Sequence, residues 1–429
     1  AIRIAGTTID MIITSIFNYH FQENGFPKAG KWFLQENDNK KRWGGEMKKV
    51  RMGIIGAGLR SGIAEYWHKP EGSSEVVAVA DISEERLLKF QEKIESPVFM
   101  TQDYKELLNR KDVDAVAVLS PDYLHEEHVI AALEAGKHVY SEKPLAITVE
   151  GCDRIIDTWE RSGKHLMVGF NMRYMSMYQT MKELVDSGAI GELKAIWVRH
   201  FVGLGGYFYY HDWHGKSENT TSLLLQKGSH DLDVIHWISG KYTTKVAAFG
   251  GLDYFGGEMP NDLTCPKCDL KNTCPEYNPK TFTECAFREE IDVEDNNMLI
   301  MELEGGIKAS YLQCHFTPDY SRNYTFIGTE GRIENDDVNG KVYLKTRKTN
   351  TWKEFSDVTY EMKKETGSHG GADPKITQDF VDLVLYDKQP LTTPFAGRMS
   401  VAVGCAATES IRAGGKVVMI SQESSIVHN

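Results

Sequence analysis

The fold of this chain is decided by the stretch Val50-Arg-Met-Gly-Ile-Ile-Gly56-Ala-Gly58-Leu-Arg-Ser61-Gly62. Its apolar first half predicts a β-strand, and the two glycines predict a tight turn into a helix. In a dinucleotide-binding unit, Gly56 would make the turn, Gly58 would let the backbone approach a pyrophosphate, and the helix start would hold the negative charge. Ser61 stands where a third glycine is usual, so a buried strand with a simple glycine turn remains the alternative.

The composition is that of an ordinary globular protein. The chain has 429 residues, of which 41% are apolar and 26% charged, and this length suggests two or three domains. The net charge of −12 argues against nucleic-acid and anionic-membrane partners. No apolar run approaches the roughly 20 residues of a membrane span. Seven cysteines without a secretory signal favour a cytoplasmic location over a disulfide framework.

The first 46 residues differ from the rest of the chain. Phe26–Gly30 and Gln35–Lys40 have the composition of loops or disordered segments. Trp43-Gly-Gly-Glu46 directly precedes Met47, and its codons can spell a purine-rich ribosome-binding site. We therefore expect Met47 to be the natural start and residues 1–46 to be a translated leader. A genuine, poorly ordered extension is the alternative.

Strand and helix patterns alternate from Met47 to about residue 170, which predicts a parallel α/β sheet. The apolar run 75–81 ends in Asp81, at the distance from the glycines where a carboxylate binds adenosine ribose hydroxyls. An acid there repels a 2′-phosphate, so NAD is expected in preference to NADP. Ligands bind at the carboxyl ends of parallel strands, where Gly56, Asp81, Ser120 and Lys143 should converge.

Three motifs resemble the Gfo/Idh/MocA family, named for glucose–fructose oxidoreductase and inositol dehydrogenase. They are Gly-x-Gly-x-x-Ser at 56–61, Ser120-Pro121 with His125, and Gly136-Lys-His-Val-Tyr-Ser-Glu142-Lys143-Pro144. The resemblance implies an α/β Rossmann domain over 47–170 and an α+β domain over 171–429 with a large, mostly antiparallel sheet. It also implies a nicotinamide cofactor, a sugar or polyol substrate, and dimers or tetramers. The implied cofactor-binding residues are Gly56, Gly58, Leu59, Arg60, Ser61, Asp81, Ser120, Pro121, His125, Glu142 and Lys143.

A second motif follows Gly228-Ser229, where a helix is predicted to place His230, Asp233 and Trp237 on one face. The resemblance implies that His230 is catalytic, because it stands in the family's Gly-x-His-x-x-Asp context. The family's dehydrogenases often carry an Asp four residues earlier, where this chain has Gln226. An amide cannot act as acid or base, so Lys227, His211 or His214 would have to replace it in a proton relay.

The run 203–214 mixes aromatic residues with glycines and histidines. Aromatic rings stack on the apolar faces of sugars while polar groups bond hydroxyls, which suits a sugar-binding loop. An aromatic loop packed on the core is the alternative. The candidate substrate residues are Arg173, His211, His214, Gln226, Lys227 and Asp233.

An insertion over residues 253–292 carries Cys265, Cys268, Cys274 and Cys285 with the spacing C-x2-C-x5-C-x10-C. Four close thiolates suit a tetrahedral structural zinc ion that orders a loop with little core of its own. An iron–sulfur cluster uses the same ligands, and uncoordinated thiols or disulfides are the remaining alternatives. Beyond the insertion, a β meander is predicted from Asn297, with Trp352–Phe355 as its last strand.

These features predict an NAD(P)-dependent oxidoreductase that acts on a sugar or polyol. A hydroxyl would lie between Lys143 and His230, one of which takes its proton while a hydride passes to the nicotinamide. The alternative is an NAD-dependent glycoside hydrolase that uses transient oxidation, which Gln226 and the aromatic loop leave open. A third hypothesis is a cofactor-binding sensor without catalysis.

Overall fold

The structure is a computed structural model that describes residues 49–94, 96–203, 205–280, 283–347 and 353–424. The predictions for residues 1–46 lie outside these ranges. The described chain forms a six-stranded sheet followed by a nine-stranded sheet, which confirms the predicted fold class. None of its helices is long and apolar enough to cross a membrane.

The first sheet is parallel throughout, in the order β3-β2-β1-β4-β5-β6. Its strands are almost wholly apolar because helices cover both faces. Ser83 and Thr148 cap helices by accepting the N–H groups of Arg86 and Gly151, as expected for hydroxyls at helix starts. The elements are β1 Val50–Ile55, β2 Ser74–Ala80, α1 Glu84–Lys93, β3 Phe99–Thr101, α2 Tyr104–Leu108, β4 Ala115–Val118, α3 His125–Glu134, β5 His138–Ser141, α4 Val149–Ser162 and β6 Leu166–Val168.

The second sheet has the order β14-β13-β12-β11-β7-β10-β9-β8-β15 and is antiparallel except between β7 and β10. Its strands are β7 Leu193–Val202, β8 Thr243–Gly251, β9 Asn296–Leu303, β10 Lys308–Cys314, β11 Tyr320–Gly328, β12 Gly331–Asp336, β13 Lys341–Thr346, β14 Val358–Glu361 and β15 Val418–Met419. The predicted strand over 352–355 is wrong for residues 353–355, which turn and bend. Asp357 accepts the N–H of Thr346 at 2.7 Å, and β14 begins only after that contact.

Helices cover one face of the second sheet. Leu232 and Ile235, on the helix Ser229–Ser239, and Val403, on the helix Pro394–Arg412, pack with Met301 and Phe326 of the strands. The opposite face leaves large apolar side chains exposed. The remaining helices are α5 Ser176–Asp186, α6 Ser217–Thr220, α7 Leu223–Gln226, α8 Ser229–Ser239, α9 Ser368–Tyr386 and α10 Pro394–Arg412.

Helix α9 packs on the first sheet although it lies near the end of the chain. Phe380 contacts Trp67 with ring centres 6.2 Å apart, and Trp67 also meets Tyr140 at 5.0 Å. The indole N–H of Trp67 donates to the carbonyl of Thr377 at 3.1 Å. Residues from both ends of the described chain therefore build the core beside β1.

Candidate active site

The glycine turn after β1 has two different environments. Gly56 has φ +100°, and a Cβ there would lie 2.7 Å from the carbonyl carbon of Leu119 and 2.8 Å from the nitrogen of Ser120. Gly58 has φ −74°, and a Cβ on it would meet no heavy atom within 4 Å. Gly56 is thus fixed by its neighbours, whereas Gly58 borders open space that a ligand can enter.

Asp81, at the end of β2, connects that strand to the glycine turn. One carboxylate oxygen accepts the N–H of Ala57 at 2.8 Å, and the other accepts the N–H of Ser83 at 2.9 Å. The acid therefore lies beside the turn, as the sequence predicts. An open backbone at Gly58 with a carboxylate one strand away fits a bound dinucleotide.

Arg60 joins the first helical turn to two distant acids. Its guanidinium donates to Glu142 at 2.6 Å and to Asp373 at 2.7 and 3.0 Å. Burial opposes the negative charge of Asp373, but hydrogen bonds from His369 and Arg60 hold the pKa of that carboxyl well below its usual range. Arg60 and Glu142, both predicted to bind the cofactor, thus contact each other and attach α9 to the turn.

The ends of β4 and β5 are held together by His125. Its ring nitrogens lie 2.9 Å from the carbonyl oxygen of Ser120 and 2.6 Å from that of Pro144. This fixes the segment Glu142-Lys143-Pro144 beside the start of α3. Lys143 then reaches the second domain, where its ammonium donates to the carbonyl of Gln226 at 3.0 Å.

Asp122 is a buried acid beside Lys143 that sequence reasoning missed. Burial raises its pKa to about 6, against the opposing effect of the Lys143 ammonium. Burial likewise lowers the pKa of Lys143, against the effect of Asp122 and Glu142. The sequence feature that could have pointed to Asp122 is its position directly after Ser120-Pro121, at the end of a predicted strand.

His230 lies at the start of α8 beneath the same edge of the first sheet. Its ring packs edge-on against Phe170 at 6.2 Å, and its buried Nδ1 has no hydrogen-bond partner among the described residues. Burial, followed by the charges of Lys143 and Arg322, lowers the pKa of His230 well below its usual value. Burial and the neighbouring cations therefore favour the neutral imidazole.

Behind His230, the neighbouring Asp231 is the centre of a buried polar network. It accepts hydrogen bonds from the Tyr311 hydroxyl at 2.9 Å, from the His200 Nδ1 at 3.0 Å, and from Tyr324. Arg322 lies 3.6 Å from its other oxygen. Burial opposes the charge of Asp231, but Arg322 and these donors lower its pKa below the usual range. The network supports the start of α8.

Arg173 and Asp233, both predicted to bind substrate, form an ion pair with each other. The guanidinium donates to the two carboxylate oxygens at 2.8 and 2.6 Å, and both side chains are buried. Arg173 also lies over the ring of Trp237 at 5.6 Å. The pair ties α8 to the segment that follows β6.

The aromatic run forms two short helical turns, Gly206–Tyr210 and Trp213–Gly215. Tyr210 stacks on Phe255 at 4.0 Å, so part of the run packs on the insertion. His214 stacks on Trp213 at 3.8 Å, and burial, with the charges of Lys143 and Lys227, lowers its pKa to about 3. The structure thus brings His214 near the two lysines.

His211 faces a different place from His214. Its Nδ1 bonds the carbonyl of Glu284 and lies 3.8 Å from the sulfur of Cys265, so the ring is directed toward the cysteines of the insertion. All seven cysteines are free thiols, and a small cavity is lined by His211 with Cys265, Cys268, Cys274 and Cys285. Among the described residues, no group of three or more acidic, His or Cys side chains has an arrangement that would hold a metal ion.

The parallel sheet, the glycine turn and the cleft over α8 define an NAD-binding oxidoreductase fold. Residues 50–170 match the family model "Oxidoreductase family, NAD-binding Rossmann fold", and residues 182–420 match "Oxidoreductase family, C-terminal alpha/beta domain". The chain belongs to this Gfo/Idh/MocA oxidoreductase family, as the sequence motifs indicate.

Similar proteins include a putative oxidoreductase, YteT, of Bacillus subtilis, 26% identical over 74% of this chain and 83% of that protein. An inositol 2-dehydrogenase of Pseudomonas fluorescens is 37% identical over 44% of this chain and 54% of its own length, so this match spans about half of that relative. A levoglucosan dehydrogenase solved with NADH and levoglucosan has the same fold, with a TM-score of 0.72 and 18% identity over 87% of this chain and all of that one.

Proposed function

We propose that this protein is an NAD-dependent dehydrogenase that oxidises a hydroxyl of a sugar or polyol, or reduces the corresponding carbonyl. The observation that carries the proposal is that Lys143, at the end of β5, donates to the carbonyl of Gln226, four residues before the buried His230, and that its charge reaches that ring. The family membership and the inositol dehydrogenases among its relatives support the substrate class.

The cofactor would lie across the carboxyl edge of the first sheet. Gly58 offers the backbone to its pyrophosphate, and Asp81 offers a carboxylate to its ribose hydroxyls, which favours NAD over NADP. When bound, the nicotinamide ring supplies the hydride acceptor. Glu142 and Lys143 follow β5, two strands away from β1, where they would border its reactive part.

Lys143 and His230 would share the acid–base work. With its pKa lowered by burial, Lys143 can lose and regain a proton closer to neutrality than an exposed lysine. The Nδ1 of His230 has no partner among the described residues, so the ring can hydrogen-bond and orient the hydroxyl and take its proton only transiently, because the lowered pKa makes it a weak base. Asp122 balances the ammonium of Lys143, a role that the amide of Gln226 cannot perform.

Replacing Lys143 by Ala tests this assignment. Turnover should fall roughly 10²–10⁴-fold, because general acid–base catalysis contributes on that order, while NADH binding measured by fluorescence changes little. Exposed Lys89 on α1, changed to Met, is the matched control. Assays that follow both cofactor absorbance and product mass separate net oxidation from glycoside cleavage without net cofactor change. Unchanged turnover in Lys143→Ala would reject the role of this lysine.

We further propose that the insertion binds a structural zinc ion through its four cysteines. The support is that all four thiols line one cavity; because no three described side chains are already arranged as ligands, the ion would have to draw the thiols together as it binds. Free thiols also agree with a reducing, cytoplasmic location. Metal analysis of protein purified under reducing conditions tests the site, and a folded, metal-free protein would reject it.

We also propose that copies of the chain associate through the open face of the second sheet. Phe249, Met298 and Leu312 form one row across β8, β9 and β10, and Ile300 and Trp197 lie in the next row. Each is exposed, by 36% to 66% of its surface. Such a patch marks an interaction surface. Ile300→Glu should shift the protein toward monomer in analytical ultracentrifugation; a monomeric unsubstituted protein would contradict the proposal.

A further inference from the structure

Lys227 lies close in the chain to His230, and no carboxylate is in contact with its ammonium among the described residues. It is in the turn between α7 and α8, three residues before His230. Its ammonium lies 5.6 Å from the ring centre of Tyr209 and 5.9 Å from that of Tyr320, so the two rings flank it. Within the described part of the chain, no carboxylate oxygen comes within 4.0 Å of this ammonium, and no hydrogen bond from it is found.

The neighbouring cations do have partners. Arg322 lies 3.6 Å from an oxygen of Asp231, and Lys143 donates to the carbonyl of Gln226 and is attracted by Asp122 and Glu142. Lys227 differs from both, because among the described residues its ammonium has neither a hydrogen-bond acceptor nor a carboxylate within 4.0 Å, and only the more distant charge of Asp231 attracts it. A bound oxidised nicotinamide would add a further positive charge and no negative one close to the ring.

An unpaired ammonium in such surroundings is held at a cost. Burial, followed by the charges of Arg322 and Lys143, lowers the pKa of Lys227 well below its usual value. The faces of Tyr209 and Tyr320 offer only a partial substitute for an anion, through cation–π attraction. A ligand that carries a negative charge to this point would satisfy the ammonium and bind more tightly for that reason.

We propose that Lys227 recognises the carboxylate of an acidic sugar, a uronate or an aldonate, in the substrate cleft. This inference rests on the proposed dehydrogenase function and deepens it by naming the substrate class. A single ammonium matches the single charge of a carboxylate. A phosphate dianion needs several cationic or N–H donors, and the neighbouring Lys143 and Arg322 already engage the carbonyl of Gln226 and the carboxylate of Asp231.

The test measures sugar binding to the NADH-loaded enzyme by isothermal titration calorimetry. The probes are D-galacturonate with D-galactose, D-glucuronate with D-glucose, and D-glucose 6-phosphate. A charge-assisted hydrogen bond corresponds to roughly a 10- to 100-fold lower Kd for the acid of each pair. Lys227→Met should bring the two Kd values of a pair together, whereas Lys227→Arg should keep a preference for the acid. Lys89→Met is the matched control and should retain the full preference.

Thermal unfolding and NADH binding establish that the Lys227 variants are folded. Equal binding of acid and neutral sugar, a preference that survives Lys227→Met, or tightest binding of the phosphate would each overturn the inference. Turnover is recorded separately on the same sugars. Binding of the acid through Lys227 without NADH formation from any sugar would support the inference and reject the dehydrogenase function. NADH formation from neutral sugars alone would reject the inference and leave the function intact.

Discussion

Replacing each of the two glycines in the turn after β1 by alanine should affect different properties: stability at Gly56 and cofactor binding at Gly58. In Gly56→Ala, the new methyl group would lie 2.7–2.8 Å from three backbone atoms of Leu119 and Ser120, which cannot move aside as a flexible side chain can. The residue would also hold φ +100°, a conformation that costs a non-glycine residue about 1–3 kcal/mol. Overpacking adds about 1–3 kcal/mol, so the free energy of unfolding should fall by roughly 2–6 kcal/mol.

Gly58→Ala is the matched control, since its methyl group would meet no atom within 4 Å and its φ of −74° suits any residue. Differential scanning calorimetry without cofactor should show an unfolding temperature several degrees lower for Gly56→Ala and almost no change for Gly58→Ala. With NAD present, Gly58→Ala should lose most of the stabilisation that the cofactor gives the unsubstituted protein, because the methyl group occupies the open space beside the turn. An unchanged unfolding temperature for Gly56→Ala, or an undiminished effect of NAD on Gly58→Ala, would refute this reasoning.

Two further predictions concern stability. Asp231→Ala leaves Arg322 buried without its carboxylate, so the free energy of unfolding measured by urea denaturation should fall by about 3–5 kcal/mol. Replacing the exposed Asp319 by Ala is the control and should have little effect; equal effects of the two substitutions would contradict the buried ion pair. Burial lowers the pKa of His200, His214 and His236 to about 3, so the folded protein binds fewer protons than the unfolded chain below about pH 6.5. The contribution of these neutral rings to the free energy of unfolding should therefore be complete above pH 6.5 and decrease at lower pH, by up to about 2 kcal/mol per histidine at pH 5. An unfolding temperature that is the same at pH 7 and pH 5 would argue against neutral buried rings.

Local patterns in the sequence were enough to predict the parallel sheet and the positions of its turns. The glycine turn, the acid at the end of β2 and the cap at Ser83 each depend on residues close together in the chain. The same holds for the face of α8 that carries His230, because helical spacing fixes it. These features are predictable because backbone conformation, capping and strand burial are set by neighbouring residues.

The partners of the charged residues were not predictable in the same way. Arg60 bonds Asp373, which is 313 residues further along the chain, and nothing near either residue indicates the other. Arg322 looks like an ordinary strand residue in the sequence but lies buried against Asp231 and His200. Only tertiary packing decides which charges are desolvated together, so a single sequence leaves such pairs undetermined.

The packing of α9 against Trp67 has a consequence for biosynthesis. Because the ribosome makes the chain from its amino end, the strands of the first sheet emerge long before Thr377 and Phe380, which complete the core beside β1. Until then, the indole of Trp67 lacks its hydrogen-bond acceptor and part of its apolar cover. The nascent nucleotide-binding half keeps an incomplete core until residue 380 has been translated, and chaperone binding would matter most during this interval.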